Sequence, residues 1–380
     1  MRIGIDASDM VAEHLTGIEY ALTELTSQLP KIDTQSEFAL YLNFTRPEYA
    51  KRFSERVQPL LSERVKAYIC RIPNRVMQVL SGPLRWPLDW TTGRCDSVLY
   101  PSFIMHAQRH GARVATIHDL MPITHPEYFS PQHRADFQRI VPRLVRQADA
   151  LIAVSEYTKS MLVEKLGVAA QRVRVVHHGV SSAFCPAEPD RIKALRRQYG
   201  LPRPYVLFVG TAEPRKNLPR LVKAIAHLRT RFQHDVDLVI AGKAAWGSSE
   251  LRTCIDDERL HRNVHLLGHA RFEELPVLYS GALAAVQPSI VEGFGMPILE
   301  AMACGTPVVA ANASSLPEVC GGAALLFDPH NVEELALLLN RLIEESALRS
   351  EFAQRGKIRA AQFTWAKSAR ETLAVLRDAA

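Results

Sequence analysis

Two successive doubly wound α/β domains, each a parallel sheet with helices on both faces, are the fold this sequence predicts. Three observations carry that expectation. Short β-branched runs alternate with helical periodicity from end to end. The strand candidates are continuous apolar runs, as strands buried on both faces must be. The length of 380 residues sets a prior of about two to three domains.

In the first half strands are expected at Arg2–Ala7, Phe38–Asn43, Val65–Arg71, Ser97–Ser102, Arg113–Ile117, Ala150–Val154 and Arg172–His177. Helical patterns fall at Gly17–Leu29, Gln132–Gln147 and Glu156–Leu166. The second half offers strands at Tyr205–Gly210, Asp237–Ala241, Val264–Leu267, Ala284–Pro288, Pro307–Ala311 and Ala323–Phe327. Its helices are expected at Leu218–Arg231, Glu273–Tyr279, Pro297–Ala303 and Val332–Glu345. Strands separated by helices imply parallel pairing with right-handed crossovers. The join is expected within Ser182–Pro204, where four prolines surround the charged helix Arg191–Gln198. A ligand held in a cleft between two such domains would face the carboxyl ends of both sheets.

Composition narrows the function classes. With 47% hydrophobic and 23% charged residues, the chain is an ordinary folded protein rather than a disordered tail or a disulfide scaffold. The formal charge is +6, all of it in residues 1–200, since residues 201–380 hold equal numbers of acids and bases. An anionic partner sensed at long range would therefore be met by the first half. No run approaches the roughly 18 apolar residues of a membrane span. Met1–Asp6 reads as a strand at once, without an apolar leader. Cys70, Cys95, Cys185, Cys254, Cys304 and Cys320 form no C-x-x-C pair. A cytoplasmic chain with reduced thiols and no metal is the expectation.

The sharpest local feature is Glu292-Gly293-Phe294-Gly295-Met296-Pro297-Ile298-Leu299-Glu300. Two glycines precede a proline suited to the first helical position. A glycine-rich helix start offers N–H groups and positive dipole to a hydroxyl-rich or anionic ligand. Glu292, on the loop, and Glu300, expected in the first turn, would point to one mouth; the plainer alternative is a solvated Glu292 and a Glu300 that complements the dipole. The second feature is Tyr205–Leu218, a buried strand followed by Gly210-Thr211-Ala212-Glu213-Pro214-Arg215-Lys216-Asn217. Arg215 and Lys216 would stand where a diphosphate binds, with Asn217 as N-cap of the next helix. A solvated basic pair is the alternative.

Other signals are weaker. Thr16-Gly17-Ile18 opens the first helix, and a tight turn explains it equally well. His118-Asp119 ends the strand Arg113–Ile117, and His177-His178-Gly179 ends the last strand of the first half; either set is as readily structural. Asp235-Val236-Asp237 has the D-x-D form but precedes its strand, so it reads as a solvated turn. No G-x-G-x-x-G or Walker sequence follows any strand, which argues against a dinucleotide cofactor or a P-loop. Residues 46–94 hold ten bases against four acids, beside Val76–Leu80 and Leu84–Trp90. That stretch would suit an anionic bilayer surface, or simply be a solvated face. Nucleic acid is disfavoured, because no helix concentrates the charge.

Taken together, Thr16-Gly17, Thr116–Leu120, Ala153–Thr158, Gly210–Asn217 and the E-x7-E pattern Glu292–Glu300 resemble glycosyltransferase family 4 over nearly the whole chain. These are retaining nucleotide-sugar transferases with two facing Rossmann-like domains, the GT-B fold. The resemblance implies an acceptor-binding domain at 1–185, completed by a returning helix at 363–380, and a nucleotide-sugar-binding domain at 186–362. It implies that Glu292 with the amides of Phe294, Gly295 and Met296 holds the donor sugar, and that Glu300 holds the ribose. Arg215 and Lys216 would neutralise the diphosphate, helped by the Gly17 amide, and His118 would bond the transferred hexose. Thr211 departs from the pattern, since many members carry arginine there; Arg215 would substitute. The Gly210–Asn217 form resembles bacterial polysaccharide mannosyltransferases. That implies GDP-mannose, or else a UDP-sugar, a glycan or polyprenyl-diphosphate-linked acceptor, and a peripheral position at the inner membrane face. A sugar phosphorylase and a non-catalytic sugar-binding protein are the competing classes.

Overall fold

The computed structural model describes residues 1–13, 17–72, 87–243 and 248–380. They form two compact units: Met1–Gly179 with Thr364–Ala380, and Val180–Phe363. The changeover comes at Gly179 rather than at the later prolines. A Cβ on Gly179 would lie 2.2 Å from the Trp365 backbone nitrogen, so the outgoing and returning chain segments touch there. Thr16, Arg75, Arg85, Val76–Leu80 and residues 84–86 of the Leu84–Trp90 run lie outside the described residues.

Unit 1 is built on a seven-stranded sheet: β1 (Arg2–Asp6), β2 (Glu37–Asn43), β3 (Val65–Cys70), β4 (Ser97–Tyr100), β5 (Ala112–Ile117), β6 (Ala150–Ala153) and β7 (Val173–Val175). The order is β3-β2-β1-β4-β5-β6-β7, and every pairing is parallel. Both faces are covered. Ile3, Ile5, Leu40, Leu42 and Leu99 pack on one side with Leu373 and Leu376 of the last helix, Trp365–Ala379. Val98 and Tyr100 pack on the other with Val141, Leu144 and Leu162. Alternate residues of β4 thus enter opposite cores, which is why the strands read as unbroken apolar runs. Thr364 caps the last helix by accepting from the Lys367 amide, and Arg377 bonds Asp33 at 2.9 Å.

Unit 2 holds β8 (Tyr205–Val209), β9 (Asp237–Ala241), β10 (Val264–Gly268), β11 (Ala284–Gln287), β12 (Val308–Ala311) and β13 (Leu325–Phe327), in the order β10-β9-β8-β11-β12-β13. These pairings too are parallel. The doubly wound α/β expectation holds, with every expected strand present. Each sheet has one topological switch point, β1/β4 in unit 1 and β8/β11 in unit 2, where successive strands add on opposite sides and a crevice opens at the carboxyl ends.

Two sequence readings need correction. The Asp235–Asp237 turn is not simply solvated. Asp237 is fully buried and accepts from Asn263 Nδ2 at 2.9 Å and Arg203 at 3.4 Å, with His265 Nε2 at 2.9 Å. Only Asp235 is at the surface, bonded to Arg203 and Arg229. The basic stretch also divides. Arg56 donates to the Met10 and Ala12 carbonyls and Arg64 to those of Asp33, Ser36 and Pro30, while Arg52 lies over the Tyr49 ring. These guanidiniums staple loop ends; Arg46, Lys51, Lys66, Arg71 and Arg94 are the exposed bases.

Candidate functional site

In unit 2 the two sequence motifs meet at the β8/β11 switch point. The loop after β8 lies directly on the end of β9: a Cβ on Gly242 would sit 1.9 Å from the Gly210 carbonyl oxygen, so only glycine fits. That contact fixes the turn carrying Thr211 to Lys216. The Ile290 amide donates to the Arg215 carbonyl at 2.9 Å, joining this loop to the one after β11. Asn217 occupies the N-cap position of the Leu218–Thr230 helix, as the sequence suggests, but does not cap it with its side chain. It sits at φ 59° and its side chain makes no cap bond. Its Nδ2 instead ties the Pro288 and Pro329 carbonyls together at 3.0 and 2.8 Å.

Glu292 is the hub. Its Oε1 accepts from Lys216 Nζ, from Gln287 Nε2 at 2.7 Å and from Ser289 Oγ at 2.7 Å; Oε2 accepts from Arg215 at 2.9 Å. Arg215 also bonds Glu213 at 2.8 Å. Glu292 is 6% exposed and Lys216 7%, so burial alone would push the carboxyl up. The Lys216 and Arg215 charges and the bonds to Lys216 and Ser289 overcome it and hold Glu292 at about 2. Burial pulls the Lys216 amine below its usual range, against the Glu292 charge. Thr211 is exposed, and Arg215 supplies the guanidinium of the cluster.

The Met296–Ala303 helix starts at Gly295, whose φ of 106° and ψ of 47° demand glycine. Pro297 is its second residue, so Glu300 stands one place beyond the first turn. That corrects the first-turn placement and weakens a purely dipolar role for the side chain. Tyr279 Oη donates to Glu300 at 2.9 Å, but burial dominates and raises its carboxyl to about 7. Phe294 packs edge-on against Phe363 at 6.1 Å. Ser314 and Ser315 brace the loop: Ser314 Oγ accepts from the Glu292 amide at 2.9 Å, and Ser315 Oγ donates to the Glu292 and Phe294 carbonyls. Gln287, Ser289, Tyr279, Ser314 and Ser315 were missed in the sequence. Gln287 and Ser289 left a signal, as polar side chains closing the apolar run of β11.

In unit 1, Gly17 opens the Gly17–Ile32 helix after β1 and is exposed. His118 follows β5 and is 8% exposed. Its Nε2 lies 2.7 Å from the Pro101 carbonyl oxygen. A carbonyl can only accept, so Nε2 carries the proton and Nδ1 is the accepting nitrogen. Burial pulls His118 below its usual pKa and His178, stacked on it at 5.4 Å, further still. Both rings are neutral near pH 7. The structure thus joins Arg215 and Lys216 to Glu292 in unit 2, places Phe294, Gly295 and Met296 on the loop and helix start that follow, and sets Glu300 apart on Tyr279. In unit 1, taken by itself, His118 and Gly17 follow the carboxyl ends of β5 and β1. Among the described residues no group of three or more His, Cys, Asp or Glu side chains is arranged to hold a metal ion.

The sequence model of "Glycosyltransferase Family 4" matches residues 16–184, and that of "Glycosyl transferases group 1" matches residues 192–359. The O-antigen chain mannosyltransferase B of Escherichia coli is 31% identical over 281 residues, 72% of this chain and 74% of that protein. The serotype-specific mannosyltransferase WbdA of Escherichia coli is 30% identical over 67% of this chain, which spans only 32% of that longer protein. Among solved structures, Anabaena Alr3699/HepE in complex with UDP and glucose superposes with a TM-score of 0.74 at 21% identity, covering all of both chains. With the family 4 model matching the first half, the group 1 glycosyltransferase model the second, and a 31% identical glycosyltransferase matched over 72% of the chain, this protein belongs to glycosyltransferase family 4.

Proposed function

We propose that this glycosyltransferase moves a hexose, with retention of anomeric configuration, from a nucleotide sugar to a glycan or lipid-linked acceptor in polysaccharide assembly. Mannose from GDP-mannose is the favoured donor. One observation carries the reading: the buried Lys216–Glu292–Arg215 cluster at the β8/β11 switch point, beside a glycine-capped helix start. The names of the Escherichia coli relatives support the mannosyl donor.

In this reading the leaving diphosphate gains negative charge as the glycosidic bond breaks. Arg215 and Lys216, fixed in place before the donor arrives, stabilise it without reorganising, in the role a cation would otherwise fill. Glu292, ionised across all working pH, orders both cations and presents its loop to the sugar hydroxyls. Glu300 accepts from the ribose hydroxyls, the Gly17 amide assists at the phosphate, and His118 Nδ1 accepts from a hydroxyl of the hexose. No carboxylate is assigned as nucleophile, so retention comes from attack on the face the diphosphate leaves. The basic exterior of unit 1 would bring the protein to the inner membrane surface, where a polyprenyl-diphosphate acceptor resides.

A thermal-shift screen of GDP-, UDP-, ADP- and CDP-sugars tests the donor, since a ligand binding only the folded chain stabilises it in proportion to affinity and concentration. GDP-mannose is expected to give the largest shift. A larger shift from a UDP-sugar would transfer the assignment to that donor, and no shift from any of them would overturn the reading.

A further inference from the structure

The two carboxylates of the E-x7-E pattern are held in different ways. Glu292 takes four side-chain donors, two of them cations, and they leave it no freedom. Among the described residues Glu300 takes one neutral donor, Tyr279 Oη on Oε2 at 2.9 Å, and makes no ion pair. An ionised carboxylate offers two oxygens and about four accepting positions, so most of that capacity is uncommitted. Glu300 is only half-buried, and a ligand can reach it.

Tyr279 is fixed far better than the side chain it holds. It is 1% exposed. Its ring packs edge-on against Phe184 at 6.1 Å, and Phe184 meets Phe272 edge-on at 5.4 Å. Buried Thr306 donates through Oγ1 to the Tyr279 carbonyl at 2.7 Å, and its amide donates to the Ala301 carbonyl at 3.0 Å. Thr306 therefore ties the Leu275–Ser280 helix, which carries Tyr279, to the Met296–Ala303 helix, which carries Glu300. Burial, then the Glu300 charge, pushes the Tyr279 phenol well above its usual range, so Oη keeps its proton and donates. A glutamate has three side-chain torsions, the last of them broad. One bond from a rigid ring removes much of that freedom before a ligand arrives.

We propose that Tyr279 is the positioning residue of the ribose site: by holding Glu300 Oε2 it presents Oε1 to the ribose hydroxyls, and so sets the preference for a ribonucleotide over one that lacks them. The proposal rests on the ribose role of Glu300 in the glycosyl-transfer reading above. Tyr279 touches no ligand and acts only through the carboxylate.

The test is calorimetric binding of GDP and of 2′,3′-dideoxy-GDP, with the uridine, adenosine and cytidine pairs alongside, at pH 8 where Glu300 is largely ionised. Wild type should bind GDP the more tightly of its pair. Tyr279→Phe, which deletes only the hydroxyl, should weaken GDP by about threefold to tenfold. The dideoxy form should stay at its wild-type affinity, which also reports an intact fold. In a Glu300→Ala background the same change should weaken GDP no further. An unaltered preference for GDP in Tyr279→Phe, or an equal loss of both nucleotides, would overturn the positioning role alone. A wild type that binds both members of every pair alike would overturn the ribose role of Glu300 with it. A wild type that binds none of the nucleotides would overturn the glycosyl-transfer reading as well.

Discussion

The carboxyl ends of the two sheets have the same topology and opposite electrostatics. In unit 2 the switch point gathers Arg215 and Lys216 around one carboxylate; in unit 1 it gathers Asp6, Asp9 and Glu19 around histidines. Net charge runs the other way, because the chain's whole excess of +6 belongs to its first half. The comparison shows that net charge reports the exterior and the loop staples, whereas the crevice is set by a few residues at strand ends. Cations in unit 2 suit a diphosphate.

The largest effect expected on this contrast comes from removing the unit 2 hub. Lys216→Ala and Glu292→Gln should each lower transfer by about 10²–10³-fold, the usual loss for one preorganised charge-stabilising group. Glu292→Gln also leaves the buried Lys216 without its carboxylate, which costs about 3–5 kcal/mol out of a typical total of about 5–15 kcal/mol; Lys216→Ala leaves Glu292 its Arg215 partner and costs less. Denaturant unfolding should therefore show a larger fall in midpoint for Glu292→Gln than for Lys216→Ala, and activity has to be compared at temperatures where both variants remain folded. Because Glu292 titrates at about 2, below the ordinary carboxylate value, its contribution is present at neutral pH and is lost only as pH falls toward 2. Wild-type transfer in both variants would end the assignment of this cluster.

How much of this was legible in the sequence follows from where the information sits. The strands were readable because burial on both faces imposes unbroken apolar runs such as Tyr205–Val209. The helix Ser346–Ala360 was not, since only Phe352, Gly356 and Ala360 are buried in it and its pattern is faint. Glu292, Arg215 and Lys216 stood out because glycines and prolines frame them. Ser314 and Ser315 did not, being brought to the Glu292 loop only by the neighbouring of β11 and β12. Asn217 was legible only in part: it stands at the helix start, but its Nδ2 runs to Pro288 and Pro329, distant in sequence, and its Oδ1 takes the Arg220 side chain rather than a helix amide.

A smaller effect separates the staples of unit 1 from its surface. Arg56→Gln leaves the Met10 and Ala12 carbonyls without their guanidinium donor, next to the turn that carries Asp9. A loss of about 1–3 kcal/mol in unfolding free energy is expected, read by denaturant titration. An unchanged unfolding midpoint would show that Arg56 belongs with the exposed bases after all.

Glu300 sharpens the same contrast through pH. Its carboxyl is raised to about 7 by burial, so below pH 7 it is increasingly protonated and less able to accept from ribose hydroxyls. Nucleotide-sugar affinity should weaken as pH falls through 7, by up to about tenfold per unit, and Glu300→Gln should flatten that dependence at a lower affinity. The stability sign is the converse. A raised carboxyl costs the folded state nothing below its unfolded value of 4.5 and progressively more as pH rises to 7. Glu300→Gln should therefore stabilise the free protein at pH 8 and not at pH 4, so thermal unfolding at the two pH values tests the burial argument apart from any ligand.

The smallest expected effect concerns the exterior. Lys51, exposed on the Pro47–Arg56 helix, bonds no backbone carbonyl among the described residues and pairs at the surface with Glu55 at 3.8 Å. If the basic exterior of unit 1 meets an anionic bilayer, Lys51→Gln should weaken sedimentation with phosphatidylglycerol vesicles by roughly fivefold, the contribution of about 1 kcal/mol from one basic residue near such a surface. Phosphatidylcholine vesicles should show no difference, and the unfolding midpoint should not move. That pattern, set against Arg56→Gln, assigns the charge of unit 1 residue by residue. Equal loss of vesicle binding in both variants, with equal stability, would mean that the staples and the surface are one field and that the division drawn here is wrong.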